Sequence, residues 1–292
     1  MSKTSKIYQA VIYVIMFTLF VICVLPFALM IVGSFTAETS IIREGYSFTP
    51  SEWSLDSYKY LMSTNYNIMR SYIISACVTA FGTALSLAIT VSLAYPLSRE
   101  KMPGRNIFAF LVFFTMLFNG GLIPSYIMWT SAFHIKNTYA AYIFPNLLAK
   151  AFYIMMMRTY FTTSIPEAII ESGRVEGASE FQILFKLVLP LAKPILVTVG
   201  LLVGIGYWND WQNGLYYVNE SSRYSVQVLL NSMLKAVQAT ADMSLSELKG
   251  VNLPTNGARM ACAFMGILPI VIIYPFTQKY IIKGITIGGV KG

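Results

Sequence analysis

Residues 164–190 read Ser-Ile-Pro-Glu-Ala-Ile-Ile-Glu-Ser-Gly-Arg-Val-Glu-Gly-Ala-Ser-Glu-Phe-Gln-Ile-Leu-Phe-Lys-Leu-Val-Leu-Pro, a charged, glycine-punctuated stretch between two apolar spans. A polar stretch of this length cannot lie in hydrocarbon with its backbone groups unsatisfied, so it belongs on an aqueous face, where another protein can touch it. Its capping signals predict helix, turn, helix. Ser164 followed by Glu167 is a capping box with Pro166 in the first turn, where a missing N–H costs little. The first helix runs through Ala168 to Glu171 and weakens at Gly173 and Gly177. Ser179 with Gln182 repeats the box and starts a second helix through Phe181, Leu184, Phe185 and Leu187 toward Pro190. Two short helices joined at a glycine form a knob carrying Glu171, Arg174, Glu176 and Glu180, able to enter a partner's groove. Charge patterning alone favours an ordinary solvated loop, and it is the motif spacing that shifts the balance.

The rest of the chain sets this segment in a membrane. Of 292 residues 56% are hydrophobic and 12% charged, where a soluble domain carries about a quarter charged. Apolar runs long enough to cross a bilayer lie at about 8–33, 71–97, 107–130, 138–160, 190–208 and 260–282. The expected fold is therefore an all-α membrane protein, one domain over residues 1–292, with six transmembrane helices and the polar segment between spans four and five. Lys3, Lys6, Arg99, Lys101, Arg105, Lys279, Lys283 and Lys291 place both termini and the 98–106 loop in the cytoplasm. The net charge of +8 is scattered over several loops, which reads as topology rather than nucleic-acid binding. The first apolar run is too long for a secretory h-region and is taken as a retained helix. Cys23, Cys77 and Cys262 all fall inside predicted spans, where small apolar packing is expected and neither disulfide nor metal site is supported.

Several features sit near the predicted path. Asn119-Gly120-Gly121-Leu122-Ile123-Pro124 places weak helix formers and a breaker near the middle of the third span, so a kink is expected, either bordering a path or serving helix packing. Lys150 lies near the middle of the fourth span, where a cation faces a water-filled interior or snorkels. Trp208, Asn209, Asp210 and Trp211 end the fifth span, and the rings of Trp208 and Trp211, with Tyr207 and Tyr216, offer either flat apolar faces to a ligand or interface anchors. Residues 34–69, with Trp53 and Tyr58 to Tyr66, form an external aromatic segment. Within the long 209–259 stretch, Ser225 to Ala239 has Val226, Leu229, Leu230, Met233, Leu234 and Val237 at helical spacing, and Ala241 to Gly257 reads as loop. His134, the one histidine, sits in a short outer connection with no catalytic partner in view.

The order Glu171, Gly177, then Leu187-Val188-Leu189-Pro190 resembles the Glu-Ala-Ala, Gly, Ile-x-Leu-Pro motif of ATP-driven importer permeases. Asn119 to Tyr126, Asn137-Thr138-Tyr139, the Trp208-Asn209 pair and the ending Lys283 to Gly292 resemble carbohydrate importer permeases of the maltose type, in the polysaccharide-fragment subgroup. Ser172 and Gly173 replace that family's two alanines, and Glu176 its aspartate. The resemblance implies that residues 167–190, with Glu167, Glu171, Arg174, Glu176, Gly177, Ala178, Ser179, Leu189 and Pro190, couple to an ATPase. It also implies partners: a second homologous permease subunit, cytoplasmic nucleotide-binding subunits that hold ATP and Mg, an extracellular solute-binding protein, a saccharide and membrane lipid of a bacterial plasma membrane. This chain itself would carry no cofactor.

The sequence agrees with that division of labour, since no Gly-x-x-x-x-Gly-Lys-Ser/Thr loop occurs in it. A self-sufficient ion- or proton-coupled carrier, the alternative, needs intramembrane carboxylates or histidines, and none of the six predicted spans contains Asp, Glu or His. An intramembrane enzyme lacks a metal-binding or nucleophile-activating cluster. Within the importer reading the substrate is an oligosaccharide, and Lys150 inclines it toward an acidic, uronate-containing one.

Overall fold

The computed structural model describes residues 3–63, 68–145, 148–244 and 255–289, which are helical apart from their connections and one isolated bridge between Thr36 and Trp53. The chain opens with α1 (Lys3–Ser34), α2 (Glu38–Glu44), α3 (Asp56–Ser63) and α4 (Ile68–Ser98). It continues through α5 (Arg105–Leu117), α6 (Leu122–Ile127, prolonged by a π turn over Met128–Ala132), α7 (Ala140–Ile143), α8 (Ala151–Ser164) and α9 (Glu167–Val175). Next come α10 (Glu180–Ile183), which runs through a π segment (Leu184–Val188) into α11 (Leu189–Leu191), then α12 (Lys193–Trp208) and α13 (Gln212–Tyr217). The last helices are α14 (Val226–Ser244) and α15 (Thr255–Gly289).

Of the expected spans, 8–33, 71–97 and 260–282 fall on the unbroken helices α1, α4 and α15, each long and apolar enough to cross a bilayer. The span expected at 107–130 is two helices bent by 110° at residues 118–121, where Gly121 has φ +86°. Helix Lys193–Trp208 fills the 190–208 span but is bent by 83° from the segment Glu180–Leu191 before it. The 138–160 span is corrected where it is described: α7 ends at Ile143, Phe144, Pro145 and residues 148–150 are not helical, and a helix begins at Ala151, while residues 146–147 lie outside the described residues. Lys150 is therefore not mid-helix but the extended residue before α8, with φ −99° and ψ 121°.

The described residues fall into two compact units, Met1–Tyr66 with Leu229–Pro269, and Asn67–Val228 with Ile270–Gly292. In the first, the Glu38 carboxylate caps the start of α15. It accepts from Thr255 Oγ1 at 3.2 Å and from the backbone N–H groups of Asn256 and Gly257 at 3.0 Å each, as well as from Asn256 Nδ2. These are the amides a helix start leaves unpaired, and an anion there also meets the positive end of the helix dipole. Leu229, Leu230, Met233 and Val237 are buried along one side of α14, as their spacing predicted. The loop expected at 241–257 is corrected at both ends, since 241–244 extend α14 on good helix formers such as Ala241 and Met243, and 255–257 begin α15. Residues 245–254 of that expectation lie outside the described residues. Of the cysteines only Cys262 is buried, while Cys23 and Cys77 occupy faces of α1 and α4 that this chain leaves uncovered.

The core of the second unit is α4 packed on α8 and α12. Small residues bring the backbones together, as membrane helix pairs require. Gly82 lies beneath the ring of Tyr207, Gly200 meets Leu87, and Gly204 meets Thr83. The Tyr207 hydroxyl donates to the Ile143 carbonyl at 3.1 Å, which satisfies a carbonyl at the end of α7. At the far end of α4, Arg158 Nε donates to the Leu97 carbonyl at 3.0 Å, an acceptor that the helix terminus leaves open.

A Cβ on residue 82 would stand 2.5 Å from the buried Tyr207 ring. Gly82→Val should therefore destabilise the α4–α12 pair by about 1–3 kcal/mol, the usual overpacking cost. The measurement is the thermal midpoint of the detergent-purified protein, which must fall below that of the parent and of an exposed control such as Gly120→Ala.

Candidate functional site

Between α8 and α9 only Ile165 and Pro166 are extended, so the polar segment leaves the core through a two-residue link. Ser164 is not a cap, contrary to the sequence reading: it completes α8, and Pro166 takes the N-cap position without a side-chain bond. Glu167 then opens α9, where its charge suits the helix dipole. Gly173 does not weaken this helix. A Cβ there would stand 3.0 Å from Leu187 and 3.2 Å from Ile183, so glycine is what lets α9 lie against the π segment. Gly177, at φ +79°, turns the chain, and the Ala178 amide closes the helix end on the Gly173 carbonyl at 3.0 Å.

The second capping box is present as predicted. Ser179 Oγ accepts from the Gln182 amide at 3.4 Å, and Gln182 Oε1 accepts from the Ser179 amide at 2.9 Å. Leu189 and Pro190 begin α11, and the chain bends sharply at Ala192. The result is a knob whose tip, Val175 to Gly177, faces outward, with Val175 88% exposed and Phe181 75% exposed beside it.

Its charged residues do not simply face solvent. Arg99, just past α4, has a side chain only 7% exposed. Its guanidinium donates to Glu167 Oε2 at 2.9 Å, to Ser98 Oγ at 2.9 Å and to the Phe161 carbonyl at 3.3 Å, and lies 5.3 Å over the Tyr95 ring. Glu167 also faces Arg174 at 3.9 Å, Arg174 Nε donates to Glu180 Oε1 at 2.8 Å, and Glu180 Oε2 accepts from the Tyr95 hydroxyl at 2.8 Å. Arg99, Glu167, Arg174, Glu180 and Tyr95 thus close a ring of side chains. The Arg174 hydrogen bond, with the Tyr95 hydroxyl helping, holds the Glu180 carboxyl below its ordinary value. Such a group stabilises the fold above the usual carboxylate range, and that contribution is lost as pH falls through its lowered pKa. Glu171, by contrast, makes one pair with Lys101 at 3.2 Å in which both side chains are mostly exposed, worth at most about 1 kcal/mol. Glu176 stays exposed at the tip. An apolar cleft of about 480 Å³ runs between α4 and the knob, past Tyr95, Pro96, Met102, Phe181 and Leu184.

Elsewhere in this unit the break in the third span and the start of α13 line a smaller cleft of about 270 Å³, with Asn119, Gly121, Ser125, Gln212, Asn213 and Tyr216 among its walls. Asn119 Oδ1 accepts from the Gly121 amide at 2.9 Å, which shapes the turn, and Asn119 is exposed. Asp210 holds α13 in place: it accepts from the Asn213 amide at 3.1 Å and from Asn213 Nδ2 at 2.8 Å, and the same Nδ2 donates to the Pro145 carbonyl at 3.0 Å. Burial raises the Asp210 carboxyl above its ordinary value, against the downward pull of Asn213 and of the Lys150 charge. Tyr126 and Tyr217 stack beside this cleft, with centroids 5.7 Å apart and planes 11° apart.

The structure thus brings Asn119 to the cleft and keeps Lys150 within electrostatic reach of Asp210. It brings Tyr216 there but not the rest of the aromatic set. Trp208 is 9% exposed and packs on Tyr72 at 6.2 Å, Tyr207 is buried, Trp211 is part-exposed at the start of α13, and the Asn209 amide terminates α12 by donating to the Ile205 carbonyl. His134 is exposed with φ +50°. The sequence reading missed Gln212, Asn213 and Ser125 at the cleft, and Tyr95 and Arg99 at the knob. Arg99 carried the one available signal, a cation directly after an apolar span, and was absorbed into topology.

Against known proteins, residues 98–287 match the family described as binding-protein-dependent transport system inner membrane component. The chain is 34% identical over 289 residues to the polygalacturonan/rhamnogalacturonan transport system permease protein YtcP of Bacillus subtilis (strain 168), covering 99% of each. It is 35% identical over 271 residues to Protein LplC of the same organism, covering 93% of this chain and 90% of that one. A solved structure of a bacterial ABC transporter involved in the import of the acidic polysaccharide alginate contains a chain of similar fold, with TM-score 0.81, 28% identity, and coverage of 96% of this chain and 98% of that chain. Sequence and fold agree: this chain belongs to the family of binding-protein-dependent transport system inner membrane components, as a carbohydrate ABC transporter permease.

Proposed function

We propose that this chain is one permease subunit of a bacterial ATP-driven importer for oligosaccharides released from acidic polysaccharides. It is a transport subunit rather than an enzyme. With a second, homologous permease subunit it would form the path, both termini and the knob would lie in the cytoplasm, and an extracellular solute-binding protein would deliver the sugar. The observation that carries the reading is the knob itself. An exposed apolar Val175 at the tip of a charged, glycine-turned helix pair leaves a surface whose natural complement is a partner's groove, and the resemblance to the permease motif supports an ATP-hydrolysing subunit as that partner.

The cleft at Asn119, Ser125, Gln212 and Tyr216 supports the sugar half of the reading. Amides and hydroxyls at the edge of a helix break suit hydroxyl-rich ligands, and a helix break is tolerated at membrane depth only against protein or water. Acidity is supported by the relatives, whose names specify polygalacturonan/rhamnogalacturonan and alginate. Lys150 contributes a cation at this end, offset in part by Asp210.

Docking is tested with Val175→Cys carrying a photoactivated crosslinker in the assembled transporter. Light should capture the ATPase subunit, and Val175→Asp should weaken its co-purification; capture of lipid alone would overturn the docking reading. Substrate class is tested in proteoliposomes with saturating binding protein. Lys150→Ala should cut the maximal uptake rate of trigalacturonate about tenfold, equivalent to about 1.4 kcal/mol, and leave a neutral trisaccharide at its parental rate. Equal effects on both sugars, or none, would remove Lys150 from substrate selection.

A further inference from the structure

The link from knob to membrane is weak where the chain itself makes it. Ile165 and Pro166 are a short extended hinge on one side, and the 83° bend at Ala192 is a corner on the other. Neither transmits a push along its own length. The ring of side chains does, because it ties each helix of the knob to the same span. Glu167, at the start of α9, is held by Arg99; Glu180, at the start of α10, is held by Tyr95; Arg174 braces the two carboxylates against each other. Arg99 is locked in turn by Ser98 Oγ and the Phe161 carbonyl, and a planar guanidinium with several fixed partners has little freedom to yield.

Tyr95 lies in the last turn of α4 and Arg99 directly follows that helix, which is unbroken over 31 residues, about 46 Å long at 1.5 Å per residue. Its other end reaches the neighbourhood of the sugar-facing cleft. Tyr72 packs on Trp208, Ser75 Oγ accepts from the Val226 amide at 2.8 Å, and Gly82 seats the Tyr207 ring one turn before the Asp210–Asn213 cap. We infer that Tyr95 and Arg99 are positioning residues that grip both helices of the knob, making α4 the rod that carries the knob's displacement to the cleft. The inference rests on the reading that the knob docks an ATPase, and it routes the knob's displacement through the second span, α4, beside the covalent links.

The test uses the complete transporter in proteoliposomes with its binding protein, trigalacturonate and ATP. The variants Tyr95→Phe, Glu180→Gln and Arg99→Lys are each built with and without Val175→Cys. Sugar delivered per ATP hydrolysed should fall about fivefold in each, the low end of measured coupling between sites, while crosslinking of the ATPase at position 175 stays at the parental level. The effects of Tyr95→Phe and Glu180→Gln combined should be less than additive, since both act on the Tyr95–Glu180 contact, while Glu180→Gln also removes the charge that pairs with Arg174. An unchanged ratio in all three variants overturns the inference, and so does a proportional loss of uptake, hydrolysis and crosslinking, which would mark the ring as merely structural. Failure of the parent Val175→Cys chain to crosslink would instead bring down the docking reading beneath it.

Discussion

Every interruption of a helix in a hydrocarbon solvent leaves amides and carbonyls that water cannot reach, at several kcal/mol for each unpaired group. The architecture of this chain follows from how it meets that demand. Three breaks among the described residues are furnished with partners. At residues 118–121 the Asn119 side chain takes the Gly121 amide. After α7 the Tyr207 hydroxyl and Asn213 Nδ2 take the Ile143 and Pro145 carbonyls. After α12 the Asp210 carboxylate takes the first free amides of α13. Three of these repairs converge on one region, and that region holds the cleft with the amides and hydroxyls that a saccharide would meet. Under the proposed function, the polar groups that mend the backbone are also the ones a sugar would meet.

The same region shows what a linear reading can and cannot reach. Long apolar runs announced α1, α4 and α15, because twenty consecutive hydrophobic residues have almost one solution in a bilayer. The Ser179–Gln182 box and the apolar stripe of α14 were legible for a similar reason: their partners lie within a turn or two of themselves. Ser164 misled for the converse reason. It offers the same local signal as Ser179, yet α8 simply continues through it, and local propensity does not know where the preceding helix stops. Lys150 was placed inside a span because apolar content cannot show that α7 ends at Ile143 and α8 begins at Ala151.

What stayed hidden was everything built from distant pairs. Arg99 and Glu167 are 68 residues apart, Tyr95 and Glu180 are 85. Each looks ordinary alone, a cation by a membrane face, a carboxylate in a loop, a tyrosine near a helix end. Only the fold reveals that most of the knob's charge is spent on its own chain, which leaves Val175, Glu176 and Gly177 as the outward-facing tip. Gly173 belongs here too: it reads as a helix breaker and acts as a spacer.

One corner of the molecule has a mechanical meaning beyond its shape. The arm Glu180–Leu191 meets the arm Lys193–Trp208 at 83°, with Ala192 fully buried at the vertex. Two stiff arms fixed near a right angle about a seated vertex form a bell crank. Travel along the short arm arrives at the long one as rotation about that vertex, so the far end at Trp208 sweeps sideways rather than sliding like a piston.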